Sequence, residues 1–414
     1  MNLPEAALED VFRREHGLVL ASLVKTFGDF DLAEDALADA VAAALETWPD
    51  TDIPDNPAAW LLTVGRRKGI DRVRRAKVLS EKLEILGRDA APPLDDDGGV
   101  PDERLRLIFA CCHPALSPEA RVALTLKSLG GLTTAEVARA FLTSEATMFQ
   151  RITRAKRKIR LAGIPVEMPS VSDLPDRLDT VLTVIYLIFN EGYSPITGEG
   201  LVRIDLCGEA MRLAEMMTDL MPEESEVWGL AALFWLTDAR RNARVDGDGN
   251  LVLLEDQDRL LWDADAIERG LRHLEQGTRL GHTGPFLIQA SIAGIHARAS
   301  GVPDTAWDRI IALYLTLFEL KPSPVVALNL AAATAMMRGP EAGLDLMEDL
   351  GEVLDNYQPF HASRAELLFR AGRGTEAAAA FERALDFPLN DVERRHLEGR
   401  LNLCVSGNAG VSAE

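Results

Sequence analysis

Apolar residues along this chain recur at three- and four-residue intervals, the repeat of helices that bury one face, and the pattern predicts an all-α protein. It is sharpest over residues 133–160, TTAEVARAFLTSEATMFQRITRAKRKIR. There Val137, Ala138 and Phe141 share one face of a first short helix. After a brief turn, Met148, Ile152, Ala155 and Ile159 form the buried stripe of a second. Ser144 stands at the N-cap of that second helix, and Glu145 lies in its first turn, where a carboxylate suits the helix dipole. Its remaining face carries Arg151, Arg154, Lys156, Arg157, Lys158 and Arg160 without an acid among them. Two short helices with a basic second one read as a helix-turn-helix whose second helix enters the DNA major groove. A solvated basic face on an ordinary helical hairpin gives the same pattern.

Three helices precede this stretch. Residues 5–27 place Leu8, Val11, Phe12, Leu18, Val19 and Leu23 on an apolar face, and Gly28 ends the helix. Residues 31–48 begin acidic, with Asp31, Glu34, Asp35 and Asp39, before Pro49 and the run TDIPDNP break the pattern. A third helix starts near Pro57, is apolar in its first half at Trp60, Leu61 and Val64, and continues through Arg66, Arg67, Lys68, Arg72, Arg74, Arg75 and Lys77, relieved only by Asp71. The acids offer a docking surface for a basic partner, or simply a solvated face. Trp60 is placed either to support unpaired bases or to pack in the core. Residues 78–100, ending APPLDDDGGVP, read as a flexible acidic linker, and residues 101–127 as one more helix pair.

The overall charge of −21 argues against a DNA binder until it is divided along the chain. Residues 1–162 hold 23 Lys and Arg against 25 Asp and Glu, whereas residues 163–414 hold 21 against 40. The first part is therefore near neutral with its cations gathered at 66–77 and 151–160, an arrangement that attracts phosphate locally. No apolar run approaches the roughly 20 residues of a membrane span, and MNLPEAALED lacks the pattern of a signal peptide. The four cysteines contain no CxxC pair, which predicts reduced thiols in a cytoplasmic protein. Cys111, Cys112 and His113 are contiguous and so cannot all face one site; helix-end packing is the favoured reading. No metal or cofactor is expected, and no Gly-rich phosphate loop or nucleophile elbow supports an enzyme.

Taken together, these residues resemble an extracytoplasmic-function (ECF) RNA polymerase sigma factor. The resemblance rests on AED at 33–35, the acidic Asp39, NPAAWL at 56–61, the RRKGIDRVRR block, and the helix-turn-helix ending RITRAKRKIR. It covers about residues 5–162 and departs from the common pattern at Ala38, Leu142, Ala146 and Phe149. It implies a domain over 5–77 that docks on core polymerase through Asp31, Glu34, Asp35 and Asp39. That domain would meet the −10 element through Trp60, Arg66, Arg67, Lys68, Arg72, Arg74 and Arg75. It implies a second domain over 101–162 that reads the −35 element through Ser144, Thr147, Gln150, Arg151, Arg154, Arg157 and Lys158. Glutamine suits adenine, and arginine suits guanine or a phosphate. The competing reading is a DNA-binding regulator with a signalling domain that never joins polymerase.

After IPVEMPSVSDLP the chain becomes rich in alanine and leucine, with an acidic surface. Residues 361–390 resemble a tetratricopeptide repeat, with small residues on two adjacent helices, Gly372 near the turn and Pro388 beyond. A weaker copy lies at 325–350, its Glu341-Ala342 preceding Glu376-Ala377 by 35 residues, close to the usual period of about 34. Residues 208–235 offer a third. The reading for 170–414 is a tetratricopeptide-like α-solenoid with a regulatory role and a concave surface for a protein partner. The block DARRNARVDGDGNLVLLEDQDR suggests a structured groove or buried salt bridges. Its DGDGN segment is expected to be a turn, because Leu251 and Gln257 occupy the positions where a calcium loop needs Gly and Glu.

Overall fold

The computed structural model describes residues 5–80, 103–141, 143–194, 202 and 204–411. Among the described residues it contains eighteen α-helices and no strand, with one isolated bridge between Val245 and Leu251. The chain divides into two compact units, Met1–Ile188 and Phe189–Glu414.

In the first unit, α1 (Glu5–Phe27), α2 (Phe30–Thr51) and α3 (Pro57–Ser80) pack as a three-helix cluster. Leu20, Leu23 and Val24 of α1 are buried, as are Ala33, Ala36, Ala40 and Ala44 of α2, the helix that packs against it. Gly28 ends α1 with φ +66°, and the carboxylate of Asp29 then caps α2 by accepting from the amides of Asp31 and Leu32 at 2.8 and 3.0 Å. The break expected at Pro49 comes later, because α2 continues to Thr51. A proline this close to the helix end removes a single backbone bond, and the turn falls at Asp52 with φ 63°.

Trp48 is fully buried at the end of α2, stacked on Phe12 and edge-on to Trp60, each ring centroid 5.3 Å away. Close approach of α3 to α1 depends on Gly69, where an added Cβ would lie 2.3 Å from the Phe27 ring. Gly69→Ala is therefore expected to destabilise the cluster by about 1–3 kcal/mol, read as faster amide exchange in α1 and α3. The stretch expected as an acidic linker lies, from residue 81 onward, outside the described residues.

The chain resumes with α4 (Glu103–Cys111), α5 (Pro118–Ser128), α6 (Thr134–Ala140) and α7 (Glu145–Leu161). Their core holds Leu107, Ile108, Phe109, Leu124, Leu126 and Val137 together with the stripe Met148, Ile152, Ala155 and Ile159. Thr133 and Glu136 form a reciprocal capping box at the start of α6. Ser144 caps α7, accepting from the Thr147 amide at 3.2 Å. Leu142 lies outside the described residues. Cys111 and Cys112 are buried helix-end packing, and the Cys112 sulfur meets the Thr125 hydroxyl at 3.4 Å. Burial pushes the Cys112 thiol up to about 11, so it stays protonated and unreactive at neutral pH. The helix α8 (Leu174–Tyr193) follows, and its Arg177 donates to the Phe109 carbonyl at 2.5 Å.

The second unit is a series of helical pairs: α9 (Ile204–Leu220), α10 (Ser225–Asp238), α11 (Ala264–Arg279), α12 (Pro285–Arg298), α13 (Trp307–Leu320), α14 (Pro324–Arg338), α15 (Pro340–Met347), α16 (Gln358–Arg370), α17 (Gly374–Leu385) and α18 (Asp391–Val411). The three segments read as repeats form the helix pairs α9–α10, α14–α15 and α16–α17. Small residues at the crossings allow this packing: a Cβ on Gly229 would stand 2.6 Å from the Leu287 amide nitrogen. Between α10 and α11 the backbone is irregular. The expected DGDGN turn forms there, with the Asp246 carboxylate accepting from the amides of Asp248 and Asn250. This segment is tied down by Arg395 to the Gly249 carbonyl, Arg259 to the His296 carbonyl, and an Arg370–Glu255 ion pair.

Candidate nucleic-acid interface

Because Met148, Ile152, Ala155 and Ile159 are turned inward, the helical period directs the cations of α7 outward. Thr147, Gln150, Arg154, Arg157 and Lys158 are exposed, and Arg151 is half-buried. Thr147, Gln150, Arg151, Arg154 and Lys158 line a shallow concavity of about 390 Å3 whose opposite wall is the start of α5 at Leu116, Ser117 and Ala120. Lys158 also donates to the Ala115 carbonyl. The hydroxyls of Ser144 and Thr147 lie 2.8 Å apart, so Ser144 serves first as the cap that fixes the orientation of the helix. The resulting surface is a cationic face carrying the amide of Gln150 and the hydroxyls of Thr147 and Thr153, suited to phosphates and to the edges of bases.

On α3 the basic residues separate into two kinds. Arg67, Arg74 and Arg75 are exposed, whereas Arg66 is half-buried, its charged form disfavoured by burial and its Nε without a hydrogen-bond partner. Lys68 is half-buried, and the side chain of Lys77 lies outside the described residues. Arg72 turns back onto α2, pairing with Asp35 at 2.7 Å and Asp39 at 2.9 Å. Trp60 is half-buried with its ring edge-on to Trp48, so core packing positions it while part of its surface stays open.

The acidic residues of α2 are engaged from two sides. Besides the Arg72 pairs, the Lys156 ammonium of α7 meets Glu34 at 2.7 Å and Asp31 at 3.2 Å. Arg160 adds longer contacts to Asp29 at 3.6 Å and Asp31 at 3.9 Å. The Lys156 side chain is only 10% exposed, so this contact is desolvated and worth more than an ordinary surface pair. Lys25–Glu103 and Arg13–Glu136 join α1 to α4 and α6 in the same manner, at 2.7 and 3.3 Å. The helix that presents the cationic ridge thus also covers part of the acidic ridge.

Sequence reasoning placed Lys156 on the basic face but not in any site. The signal was present in its register. Lys156 stands four residues after Ile152 and three before Ile159, on the border of the buried stripe, where a lysine must reach an acid on a neighbouring helix or pay for desolvation.

The comparisons with known proteins follow the same division of the chain. A model of Sigma-70 region 2 matches residues 11–78, and one of Sigma-70 region 4 matches residues 106–159. A family of unknown function (DUF6596) matches residues 177–278. An uncharacterized protein of Rhizobium meliloti (strain 1021) is 44% identical over 405 residues, 95% of each chain. The ECF RNA polymerase sigma factor SigK of Mycobacterium ulcerans is 30% identical over 152 residues, 36% of this chain and 78% of its own. SigJ of Mycobacterium tuberculosis, another ECF sigma factor, is 34% identical over 136 residues, 30% of this chain and 43% of its own. Among the described residues no helix is long and apolar enough to cross a membrane. With regions 2 and 4 in order on one compact unit, and SigK of Mycobacterium ulcerans 30% identical over 78% of its own length, the chain belongs to the ECF RNA polymerase sigma factors.

Proposed function

We propose that this chain recruits core RNA polymerase to particular promoters and starts transcription there as a non-catalytic subunit, with its second unit modulating that step. Regions 2 and 4 indicate core polymerase and promoter DNA as the partners. The observation that carries the reading further is the composition of the outward face of α7, with several exposed cations, an amide, two hydroxyls and a single acid, Glu145, confined to the first turn. In this reading Gln150 and Arg154 meet base edges at the −35 element, and Arg151, Arg157 and Lys158 hold phosphates. Trp60, Arg66, Arg67, Lys68, Arg74 and Arg75 serve the −10 element, and Asp31, Glu34, Asp35 and Asp39 dock on polymerase.

Lys156 then holds a second role. While it pairs with Glu34 and Asp31, the acids are not free for a basic partner and α7 is held against α2. Binding polymerase exchanges these internal ion pairs for external ones, which keeps the cost of opening low.

Co-purification with core polymerase tests the reading. A stoichiometric complex is expected. DNA binding without any such complex would favour the regulator that works apart from polymerase. Arg154→Ala should cost about 1–3 kcal/mol at one promoter position, measured by binding to a set of single-base variants. Uniform weakening across the set would instead make Arg154 a phosphate contact. Removing residues 194–414 should alter promoter-dependent transcription by the remaining chain. Unchanged output, with and without cell extract, would deny the second unit a role in initiation.

A further inference from the structure

The second unit holds a partly open cavity of about 380 Å3 between α12, α13, α14 and α16, flanked by the irregular segment that precedes α11. Its walls are largely apolar and aromatic, with Trp307, Ile310, Tyr314, Met336, Met347 and Leu367 among them. The charged groups on the walls do not cancel. Glu255 is matched by Arg370, and Glu366 by Arg400 and His396. Arg259 is left over. Its guanidinium gives one hydrogen bond to the His296 carbonyl at 2.8 Å and lies over the Trp262 ring at 4.0 Å, with no carboxylate among the described residues paired to it.

A second guanidinium reinforces this excess. Arg240 lies 5.8 Å from the same Trp262 ring, and among the described residues its buried Nε finds no hydrogen-bond partner and its guanidinium no ion pair. His296, which lines the cavity, has a buried Nδ1 with no partner. Burial, followed by the charges of Arg240 and Arg259, pulls its imidazole down to about 4, so at neutral pH it is uncharged and retains an N–H to donate. Two unpaired arginines beside one apolar cavity stand out in a region where acids outnumber bases 40 to 21. Like charges gathered without a counter-ion destabilise the fold unless an anion joins them.

We propose that this cavity binds an amphipathic organic monoanion, its apolar body between Trp307, Tyr314 and Met336 and its acidic head on Arg259. A volume near the lower end of small-ligand pockets fits one compact molecule, and a single surplus charge on the wall fits one anionic group. The Arg370–Glu255 pair ties the flanking segment to α16 at the wall of the cavity. The inference concerns binding alone and stands or falls separately from any role in transcription.

Calorimetric titration of the full chain with decanoate, and with uncharged decanamide of the same length, tests it. Saturable one-site binding of decanoate is expected, at least tenfold tighter than decanamide. Arg259→Gln should remove that preference and Arg259→Lys retain most of it. Ala332→Phe, which fills the cavity from its partly exposed wall, should abolish binding of both. Absence of saturable decanoate binding to the unaltered chain would overturn the proposal, as would equal affinity for decanamide. Decanoate affinity unchanged in Arg259→Gln or in Ala332→Phe would overturn it as well.

Discussion

The double reversal Glu34→Lys, Asp35→Lys is expected to abolish stable association with core polymerase while leaving DNA binding by α7 intact or strengthened. In the free chain Glu34 meets Lys156 at 2.7 Å and Asp35 meets Arg72 at 2.7 Å. A lysine at position 34 would face the poorly exposed Lys156 ammonium, and this repulsion frees α7 from α2. Against a basic docking surface, the two reversals replace attraction by repulsion. A unit-charge pair is worth about 1–4 kcal/mol at contact between bulk-water and protein-surface screening, so a loss on the order of 100-fold or more is expected. Polymerase pull-down and electrophoretic shift of promoter DNA, run on the same preparation, separate the two activities. Equal loss of both would count against docking through α2. The polymerase complex of the unaltered chain should also weaken as salt is raised, because exposed acids contribute through screened charge.

The largest effect on stability is expected at Trp48. Its side chain is fully buried between Phe12 and Trp60, and its indole nitrogen has no hydrogen-bond partner among the described residues, so its contribution is packing. Trp48→Ala should cost about 3–5 kcal/mol, because the vacated space lies among three helices that cannot all close around it. A chain of two compact units need not unfold in one step, so the effect is best read locally. Amides of α1, α2 and α3 should exchange much faster, while those of α9 to α18 keep their protection. Unaltered exchange in the first three helices would refute the packing argument. Since Trp60 loses its edge contact in the same variant, opening of promoter DNA should suffer even where the chain stays folded.

The local rules of the chain were readable from one sequence, and the long-range pairings were not. The repeat of Met148, Ile152, Ala155 and Ile159 fixed which side of α7 turns inward, and Ser144 marked where the helix begins. Helix limits, caps and buried stripes depend on neighbours within four residues, where spacing carries the information. The small residues and Gly372 likewise announced the α16–α17 pair. By contrast, the partners of Lys156 stand more than a hundred positions away, and the period of α7 says nothing about which acid will face it. Arg72 illustrates the same boundary. It read as one cation in a run, yet the crossing of α2 and α3 commits it to Asp35 and Asp39. The arginines beside Trp262 were equally hidden in a block whose charges suggest buried salt bridges without saying which residues pair. Only the folded chain shows that Arg241 takes Asp238 while Arg240 and Arg259 take no acid among the described residues.

Run-off transcription gives the most direct test. Purified core polymerase, which does not initiate specifically by itself, is supplied with the full chain and with promoter DNA selected by binding to the pair. The account predicts transcripts of a single defined start that depend on the chain and disappear with the Glu34→Lys, Asp35→Lys variant. Transcripts that form equally without the chain, or a chain that binds the DNA yet never yields a defined start, would contradict it.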